Sequence, residues 1–365
     1  MPTRLLVTGG AGFIGSSFVR LLLGSWRDEE PTYQLVNLDK LTYAGNLENL
    51  SSVDHSASYR FYRGAVENVV DVNAAFDLSE ECFGGKVNSV VHFAAESHVD
   101  RSIEDPGSFV ETNVRGTQVL LEVARRRGVG RFIHISTDEV YGTLGAGGCF
   151  TEQTPLSPNS PYASSKAGSD LMVRAYHHTY ELPCIITRCS NNYGPYQFPE
   201  KLLPLMIANA LENKPLPVYG DGSNVRDWIY VDDHTRALKA VLDAGRPGEV
   251  YNIGARCERT NLQMVKAVLD ILNKPESLIR YVPDRPGHDL RYAVDSSKIE
   301  TELGWFPQMT FDEGLKQTVE WYVQNHEWVE RVRSGAYQVY YQRVYDRRTQ
   351  WLEGAHQAKS SNHPV

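Results

Sequence analysis

The sequence predicts an α/β fold: a doubly wound parallel sheet with a smaller, mostly C-terminal lobe. Six apolar, mostly β-branched runs alternate with helical patterns, a glycine-rich turn follows the first run, and the composition changes near residue 190. Near-continuous apolar runs separated by helical patterns are typical of parallel strands that are buried on both faces. The predicted strands cover residues 5–7, 35–38, 59–62, 90–93, 132–135 and 184–187, and one crossover helix is predicted over 113–127.

The first predicted strand leads into a turn that contains Gly9, Gly12 and Gly15, and a helical pattern follows it. Glycines at these positions permit a tight turn, close approach of a pyrophosphate, and packing of the helix on the strand. The helix N-terminus then offers free N–H groups and the positive end of its dipole. Asp39 ends the second strand, where a carboxylate accepts hydrogen bonds from ribose hydroxyls and repels a 2′-phosphate. The pattern predicts a Rossmann-type sheet that binds NAD rather than NADP.

The second half of the chain has a different pattern. Prolines and glycines become more frequent after about residue 190, and helical patterns follow over 203–213, 235–244 and 262–272. We interpret residues 1–190 as the NAD-binding Rossmann domain. Residues 191–335 are interpreted as a substrate-binding lobe laid over the carboxyl edge of the sheet, with some interleaving of segments. The polar end of the chain, 353–365, is predicted to be disordered.

Composition excludes several classes of function. The net charge of −8 argues against nucleic acid as a partner, because phosphate binding over a large surface needs a basic face. The five cysteines are odd in number and no two have C-x-x-C spacing, so no metal site is predicted, and a reducing cytoplasm is the expected compartment. No apolar run approaches the ~20 residues that span a bilayer, and no signal-peptide pattern precedes the first strand.

A tyrosine and a lysine open the long helical pattern after the fifth strand. Ser160 is a plausible N-cap and Pro161 a good first helical residue. Tyr162 and Lys166 then lie one turn apart on one face. An ammonium close to a phenol lowers the pKa of the phenol, which makes Tyr162 a base that can take an alcohol proton as hydride leaves for NAD.

Two adjacent carboxyl groups follow the fifth strand, at the edge of the sheet where open α/β folds bind ligands. Oxidation of an alcohol needs only the Tyr–Lys pair, with Ser136 or Thr137 to polarise the oxygen. Asp138 and Glu139 therefore imply that further bonds break. Such a pair can divide acid and base roles if its surroundings separate the two pKa values.

The stretch Thr137-Asp138-Glu139 resembles the motif that distinguishes dTDP-glucose 4,6-dehydratases from sugar-nucleotide epimerases, within the extended short-chain dehydrogenase/reductase superfamily. The glycine spacing and the Tyr–Lys pair are similar to that superfamily too. The similarity runs from about residue 4 to about residue 325. Further matching stretches are 39–46, 93–102, 191–196, 199–202, 226–228 and 284–289. One departure is Ala65, in Gly64-Ala65-Val66, where the family usually has an aspartate that contacts adenine.

The resemblance implies conversion of dTDP-glucose to dTDP-4-keto-6-deoxyglucose and water. C4 is oxidised, water is eliminated across C5 and C6, and hydride returns to C6. Tyr162 would take the 4-hydroxyl proton, Glu139 the C5 proton, and Asp138 would protonate the leaving 6-hydroxyl. Thr137 would hydrogen-bond the 4-oxygen. The alternatives are another NAD-dependent sugar-nucleotide 4-epimerase or decarboxylase, and, from a different class, a non-catalytic NAD-binding regulator.

The resemblance also implies a homodimer and two sets of binding residues. Arg226 has a physical reason of its own, since a guanidinium pairs with phosphate oxygens. The implied catalytic residues are Thr137, Asp138, Glu139, Tyr162 and Lys166. The implied NAD contacts are Gly9, Gly12, Phe13, Ile14, Gly15, Asp39, Lys40, Thr42, Val66, Phe93, Ala94, Ala95, Ser97, Thr112, Tyr162, Lys166 and Asn192. The implied sugar-nucleotide contacts are Ser97, Thr137, Asn191, Glu200, Lys201, Leu202, Pro217, Val218, Tyr219, Arg226, Asn261, Asp284, Arg285 and His288.

Overall fold

The computed structural model describes residues 2–24, 32–284 and 287–335. The strands are β1 (Thr3–Thr8), β2 (Tyr33–Asp39), β3 (Tyr59–Arg63), β4 (Ser89–His92), β5 (Arg131–Thr137), β6 (Cys184–Cys189), β7 (Asn191–Tyr193), β8 (Leu216–Tyr219), β9 (Val225–Tyr230), β10 (Val250–Ile253), β11 (Glu258–Thr260) and β12 (Ile279–Val282). The α-helices are α1 (Phe13–Gly24), α2 (Val69–Phe83), α3 (Val99–Glu104), α4 (Pro106–Phe109), α5 (Thr117–Arg127), α6 (Pro161–Tyr180), α7 (Leu202–Leu211), α8 (Val231–Ala244), α9 (Asn261–Leu272), α10 (Ser297–Leu303), α11 (Phe311–Gln324) and α12 (His326–Ser334).

Seven strands form one parallel sheet in the order β10-β6-β5-β4-β1-β2-β3. The chain builds outward from β1 to β3 and then returns to the other side of β1 with β4. The direction of winding therefore reverses between β1 and β4, and this reversal opens a crevice at the carboxyl ends of the two strands. The predicted doubly wound parallel sheet is confirmed.

Both faces of this sheet are covered, as the apolar runs predict. Leu5 and Val7 point into one core cluster and Leu6 into the other, and all three are fully buried. Since successive side chains of a strand point to opposite faces, the unbroken apolar run supplies both cores at once.

The crossover helix is not a single α-helix. A π-helical stretch covers Val110–Gly116, and α5 begins only at Thr117. Within that stretch the side chain of Asn113 accepts from the Glu96 amide at 2.8 Å and donates to the Glu96 carbonyl at 3.0 Å. A Cβ atom on Gly116 would lie 2.7 Å from a methyl of Val66. Helical periodicity does not reveal such a local widening, because the apolar spacing is nearly unchanged.

The later residues form two small sheets, β11-β9-β7 and β12-β8, with α7, α9, α11 and α12 around an aromatic-rich core. The chain also returns to the large sheet, where β10 pairs with β6, while α8 packs on α1. The division into 1–190 and 191–335 stays a prediction. The predicted disordered tail, 353–365, lies outside the described residues.

Across the described ranges, no helix is long and apolar enough to cross a membrane.

Candidate active site

One cavity of about 310 Å³ lies at the carboxyl edge of the large sheet, at the crevice between β1 and β4. Every residue predicted to contact NAD lines it, and so do the five predicted catalytic residues. Residues as far apart in the sequence as Gly9 and Lys201 therefore line the same cavity. The roles of these residues stay predictions, but their proximity is a property of the fold.

The glycine turn after β1 is shaped for a close approach. Gly9 has φ +71°, and a Cβ there would lie 2.6 Å from the amide nitrogen of Ala94. A Cβ on Gly15 would lie 2.2 Å from the Gly9 carbonyl oxygen, whereas a Cβ on Gly12 would have that same oxygen as its one neighbour within 4 Å, at 3.3 Å. Gly12 also lines the cavity, so its missing side chain leaves room there. The turn therefore fits a pyrophosphate placed at the N-terminus of α1.

The carboxylate of Asp39 is fixed at the end of β2. Its two oxygens accept from the backbone amides of Ala11 at 2.9 Å and Leu41 at 2.8 Å. Burial raises the pKa of Asp39, while the two amide bonds oppose that shift. The next residue, Lys40, pairs with Glu67, which also lines the cavity. The donor and acceptor set at this end fits the ribose of NAD.

Two alanine substitutions distinguish the glycine that permits packing within this turn from the glycine that leaves room for NAD. Gly15→Ala is expected to destabilise the fold by about 1–3 kcal/mol, because its Cβ would collide with backbone. Gly12→Ala is expected to cost less stability than Gly15→Ala, because its Cβ would meet the Gly9 carbonyl at 3.3 Å rather than collide with it, yet to lower the NAD content of the purified protein. Urea unfolding and the nucleotide released on denaturation measure the two effects. Equal NAD retention in the wild type and Gly12→Ala would contradict the assignment.

Helix α6 presents the tyrosine and the lysine to the cavity. The Ser160 hydroxyl caps the helix by accepting from the Ala163 amide at 3.1 Å. Tyr162 and Lys166 are both buried, and Lys166 donates to the carbonyl of Ile135 at 2.7 Å. Burial lowers the pKa of Lys166 to about 8, and the negative charge of Asp170 on the same helix opposes that shift.

The pKa of Tyr162 differs from the direction that the sequence pattern predicts. It lies well above its ordinary value, chiefly because burial removes water from the phenolate and then because the Glu139 carboxylate faces it. A side-chain hydrogen bond with Thr137 acts in the opposite direction. Spacing along a helix does not reveal burial, and burial is the larger effect here.

The adjacent acids follow β5 on a short 3-10 turn, Asp138–Tyr141. Asp138 is buried, and its Oδ1 accepts from the Thr137 hydroxyl at 3.3 Å. Its Oδ2 has no hydrogen-bond partner within the described part of the chain. Burial raises the pKa of Asp138 well above its ordinary value, and the charges of Glu139 and Asp227 add to the shift. Burial therefore favours the protonated form of Asp138.

Part of the predicted sugar-nucleotide set also lines the cavity. Lys201 donates to the Ser97 carbonyl at 2.8 Å. The buried Oδ1 of Asn191 and Oε1 of Glu200 lack a hydrogen-bond partner among the residues that the structure describes. Unpaired buried acceptors are costly, so these atoms fit ligand donors. The members that line the cavity are Ser97, Thr137, Asn191, Glu200 and Lys201.

The other predicted substrate contacts lie outside the lining of this cavity. Arg226 is buried and donates to the Asp289 carbonyl at 3.0 Å, with its guanidinium 4.3 Å from the ring centre of Tyr292. Tyr219 and His288 meet edge to face at 6.3 Å, with His288 bonded to Asp284. Arg285 lies outside the described residues. The members outside the lining are Leu202, Pro217, Val218, Tyr219, Arg226, Asn261, Asp284 and His288.

Several residues that line the cavity are not among the site residues predicted from the sequence. Glu96 lies in the matching stretch 93–102, and burial raises its pKa. Cys189 ends β6 at the carboxyl edge, a position that strand order alone marks as near the ligand. Glu67 has no such signal, since only the pairing of β2 with β3 brings it close to Lys40.

Ala65, which departs from the family pattern, does not line the cavity. Its amide donates to the carboxylate of Asp71 at 2.9 Å. The neighbours Gly64, Val66 and Glu67 line the cavity instead.

Comparisons with known proteins agree with this geometry. The family model described as GDP-mannose 4,6 dehydratase matches residues 6–318. A dTDP-glucose 4,6-dehydratase of Xanthomonas campestris pv. campestris is 52% identical over 352 residues, which cover 92% of this chain and 97% of the relative. The solved structure of a dTDP-glucose 4,6-dehydratase from Streptomyces venezuelae with NAD bound is similar, with a TM-score of 0.85 and 53% identity over 90% of this chain and all of that one. A Thermus thermophilus UDP-glucose 4-epimerase in complex with NAD has a TM-score of 0.79 and 32% identity, over 88% of this chain and all of that one.

Proposed function

Because this chain belongs to the dTDP-glucose 4,6-dehydratase family, we propose that it converts dTDP-glucose to dTDP-4-keto-6-deoxyglucose and water, with NAD as a recycled cofactor. One observation carries the proposal: the adjacent acids Asp138 and Glu139 share a single cavity with Tyr162, Lys166 and the glycine turn. An epimerase needs no acid–base pair beyond the tyrosine, whereas loss of water needs a base and an acid.

NAD would be held by the glycine turn and by Asp39, with its nicotinamide end toward Tyr162. When bound, it supplies an acceptor for the C4 hydride and a donor for the return of hydride to C6. Tyr162 takes the proton of the 4-hydroxyl, and Thr137, which is hydrogen-bonded to Tyr162, would hydrogen-bond the same oxygen. Lys166 contributes a positive charge that favours the phenolate. Burial of Tyr162 keeps water away from this proton transfer.

The elimination divides between the two acids. A ketone at C4 makes the C5 proton acidic, Glu139 removes it, and a proton returns to C5 as hydride enters C6. Burial raises the pKa of Asp138 and so favours its protonated form, which gives its proton to the departing 6-hydroxyl. The two carboxyl groups would then act as a base and an acid, which is the division of roles that elimination requires.

Asp138→Asn is expected to raise stability while lowering activity. The pKa of Asp138 is higher in the folded protein than in the unfolded protein. The stability that such a group contributes is fully present below its pKa in the unfolded protein, and it is lost as pH rises through its pKa in the folded protein. The neutral amide avoids this loss, so Asp138→Asn should unfold at higher urea concentration than the wild type at neutral pH, and at a similar one at low pH. Activity should fall by roughly 10²–10⁴-fold. A variant with unchanged activity would remove Asp138 from the mechanism.

A homodimer is part of the proposal. Val110 and Leu171 are each 56% exposed, on the π-helical stretch and on α6, which pack against each other. Exposed apolar side chains on adjoining helices suit a self-complementary contact between two copies. Light scattering of the purified protein measures the mass that decides between monomer and dimer.

The deciding experiment incubates the purified protein with dTDP-glucose, without added NAD, and follows the 4-keto-6-deoxy product by its absorbance in alkali. Product formation is the expected result. If product formed only with added NAD, the proposed reaction would stand and the protein would retain its cofactor weakly. Ala65 would then be the first position to change. No product with NAD bound would contradict the proposal, and UDP-glucose would then be tested for epimerisation.

A further inference from the structure

Beneath the cavity, one turn after Lys166 on α6, lies a second buried acid. We propose that Asp170 is a positioning residue that holds the buried side chain of Lys166 in its charged form. The side chain of Asp170 is 1% exposed. Its Oδ2 accepts from Nε of Arg188 on β6 at 2.8 Å. Its Oδ1 has no hydrogen-bond partner in the part of the chain that the structure describes, and lies 3.5 Å from Nε2 of His134 on β5.

The titratable groups around the ammonium come from three strands and from α6. His92 on β4 and His134 on β5 are both fully buried, and burial together with the Lys166 charge lowers the pKa of each, that of His92 to about 3. Burial raises the pKa of Cys189 on β6 to about 12. These three groups are neutral near pH 7. Asp170 therefore supplies the negative charge that opposes the desolvation of Lys166.

The two neighbouring cations, Arg188 and Lys166, differ in how readily they lose a proton. Arg188 pairs with Asp170 and also donates to the hydroxyl of Tyr141 at 2.9 Å. A guanidinium stays protonated in proteins, whereas a buried ammonium readily loses its proton. Removal of the carboxylate charge would leave two buried positive charges without a counter-charge. Lys166 is the one that can relieve this by deprotonation.

The inference rests on the proposed function, in which the charge of Lys166 favours the phenolate of Tyr162. An ammonium is lost as pH rises through its pKa, so the wild type should lose activity on the alkaline side of about pH 8. In Asp170→Asn this alkaline limb should move to lower pH by about 1–3 units, because a close opposite charge shifts a pKa by that amount.

The experiment has two readouts for the purified enzyme. The first is the pH dependence of product formation from dTDP-glucose. The second is the pH dependence of Lys166 acetylation by a brief pulse of acetic anhydride, followed by peptide mass spectrometry, which reports the lysine pKa without catalysis. If Asp170→Asn folds poorly, the double variant Asp170→Asn/Arg188→Gln keeps a neutral hydrogen-bonded pair, and its downward shift should be smaller because the positive charge of Arg188 is removed as well.

Asp233→Asn is the matched control. Asp233 is also 1% exposed, pairs with Arg236, and accepts from the amides of Gln308 and Met309 at 2.9 and 2.8 Å. Its loss should cost stability without moving either pH profile. Unchanged acetylation and activity profiles in Asp170→Asn and in the double variant would overturn the inference and leave the proposed function standing. If the wild type made no product, the proposed function would fail, and the acetylation profile would still decide the charge of Lys166.

Discussion

Replacing Tyr162 with phenylalanine is expected to lower kcat for dTDP-glucose turnover by about 10²–10⁴-fold. The substitution keeps the ring that packs edge to face with Phe109 at 6.2 Å, so the fold should be preserved. It removes the one oxygen of that side chain that can take the 4-hydroxyl proton. Since oxidation at C4 precedes the elimination, neither product nor reduced nicotinamide should form at the wild-type rate.

Tyr176→Phe is the control for this variant. Tyr176 lies on the same helix, is largely buried, and receives a hydrogen bond from Gln118 at 3.1 Å, but it does not line the cavity. Its activity should stay close to that of the wild type. Comparable kcat values in Tyr162→Phe and the wild type would show that another group takes the proton. Product is followed by absorbance in alkali and NADH by its near-ultraviolet absorbance.

Replacing Glu139 with glutamine should instead spare oxidation and block elimination. The amide has a similar shape but cannot accept the C5 proton, so product formation should fall by roughly 10²–10⁴-fold. In a single turnover, the near-ultraviolet absorbance of reduced nicotinamide should rise and persist rather than rise and decay. This outcome would distinguish the base of the elimination from the base of the oxidation.

A second effect of Glu139→Gln follows from the electrostatics. The Glu139 carboxylate raises the pKa of both Tyr162 and Asp138. Its neutralisation should lower both, so oxidation in the variant should persist to lower pH than in the wild type. Glu111→Gln is the control, because Glu111 pairs with Arg115 on the π-helical stretch and neither residue lines the cavity. Normal product formation by Glu139→Gln would contradict its role as the base.

These variants probe a site whose charge is set by burial. Asp138, Tyr162 and Lys166 are all buried, and in each of them desolvation is the largest cause of the pKa shift. In each case the shift favours the neutral form. A buried site of this kind can exchange protons with a substrate, but it needs nearby charges to hold any group ionised.

The fold class and the polar residues at the carboxyl edge of the sheet could be predicted from the amino-acid sequence. Apolar runs, the glycines of the first turn and the N-cap at Ser160 are local signals, and each depends on neighbours that are close in the chain. Tyr162 and Lys166 could be placed on one helix face for the same reason. The adjacent acids could be placed at the sheet edge because they directly follow β5.

The electrostatics of the site and the full set of residues that line the cavity depend on contacts between elements far apart in the chain. Glu67 meets Lys40 only because β3 pairs with β2, and Asp170 meets Arg188 only because α6 packs on β6. The raised pKa of Tyr162 likewise depends on burial by several elements. Local spacing cannot report such effects, because desolvation and Coulomb interaction depend on distances between residues that are far apart in the sequence.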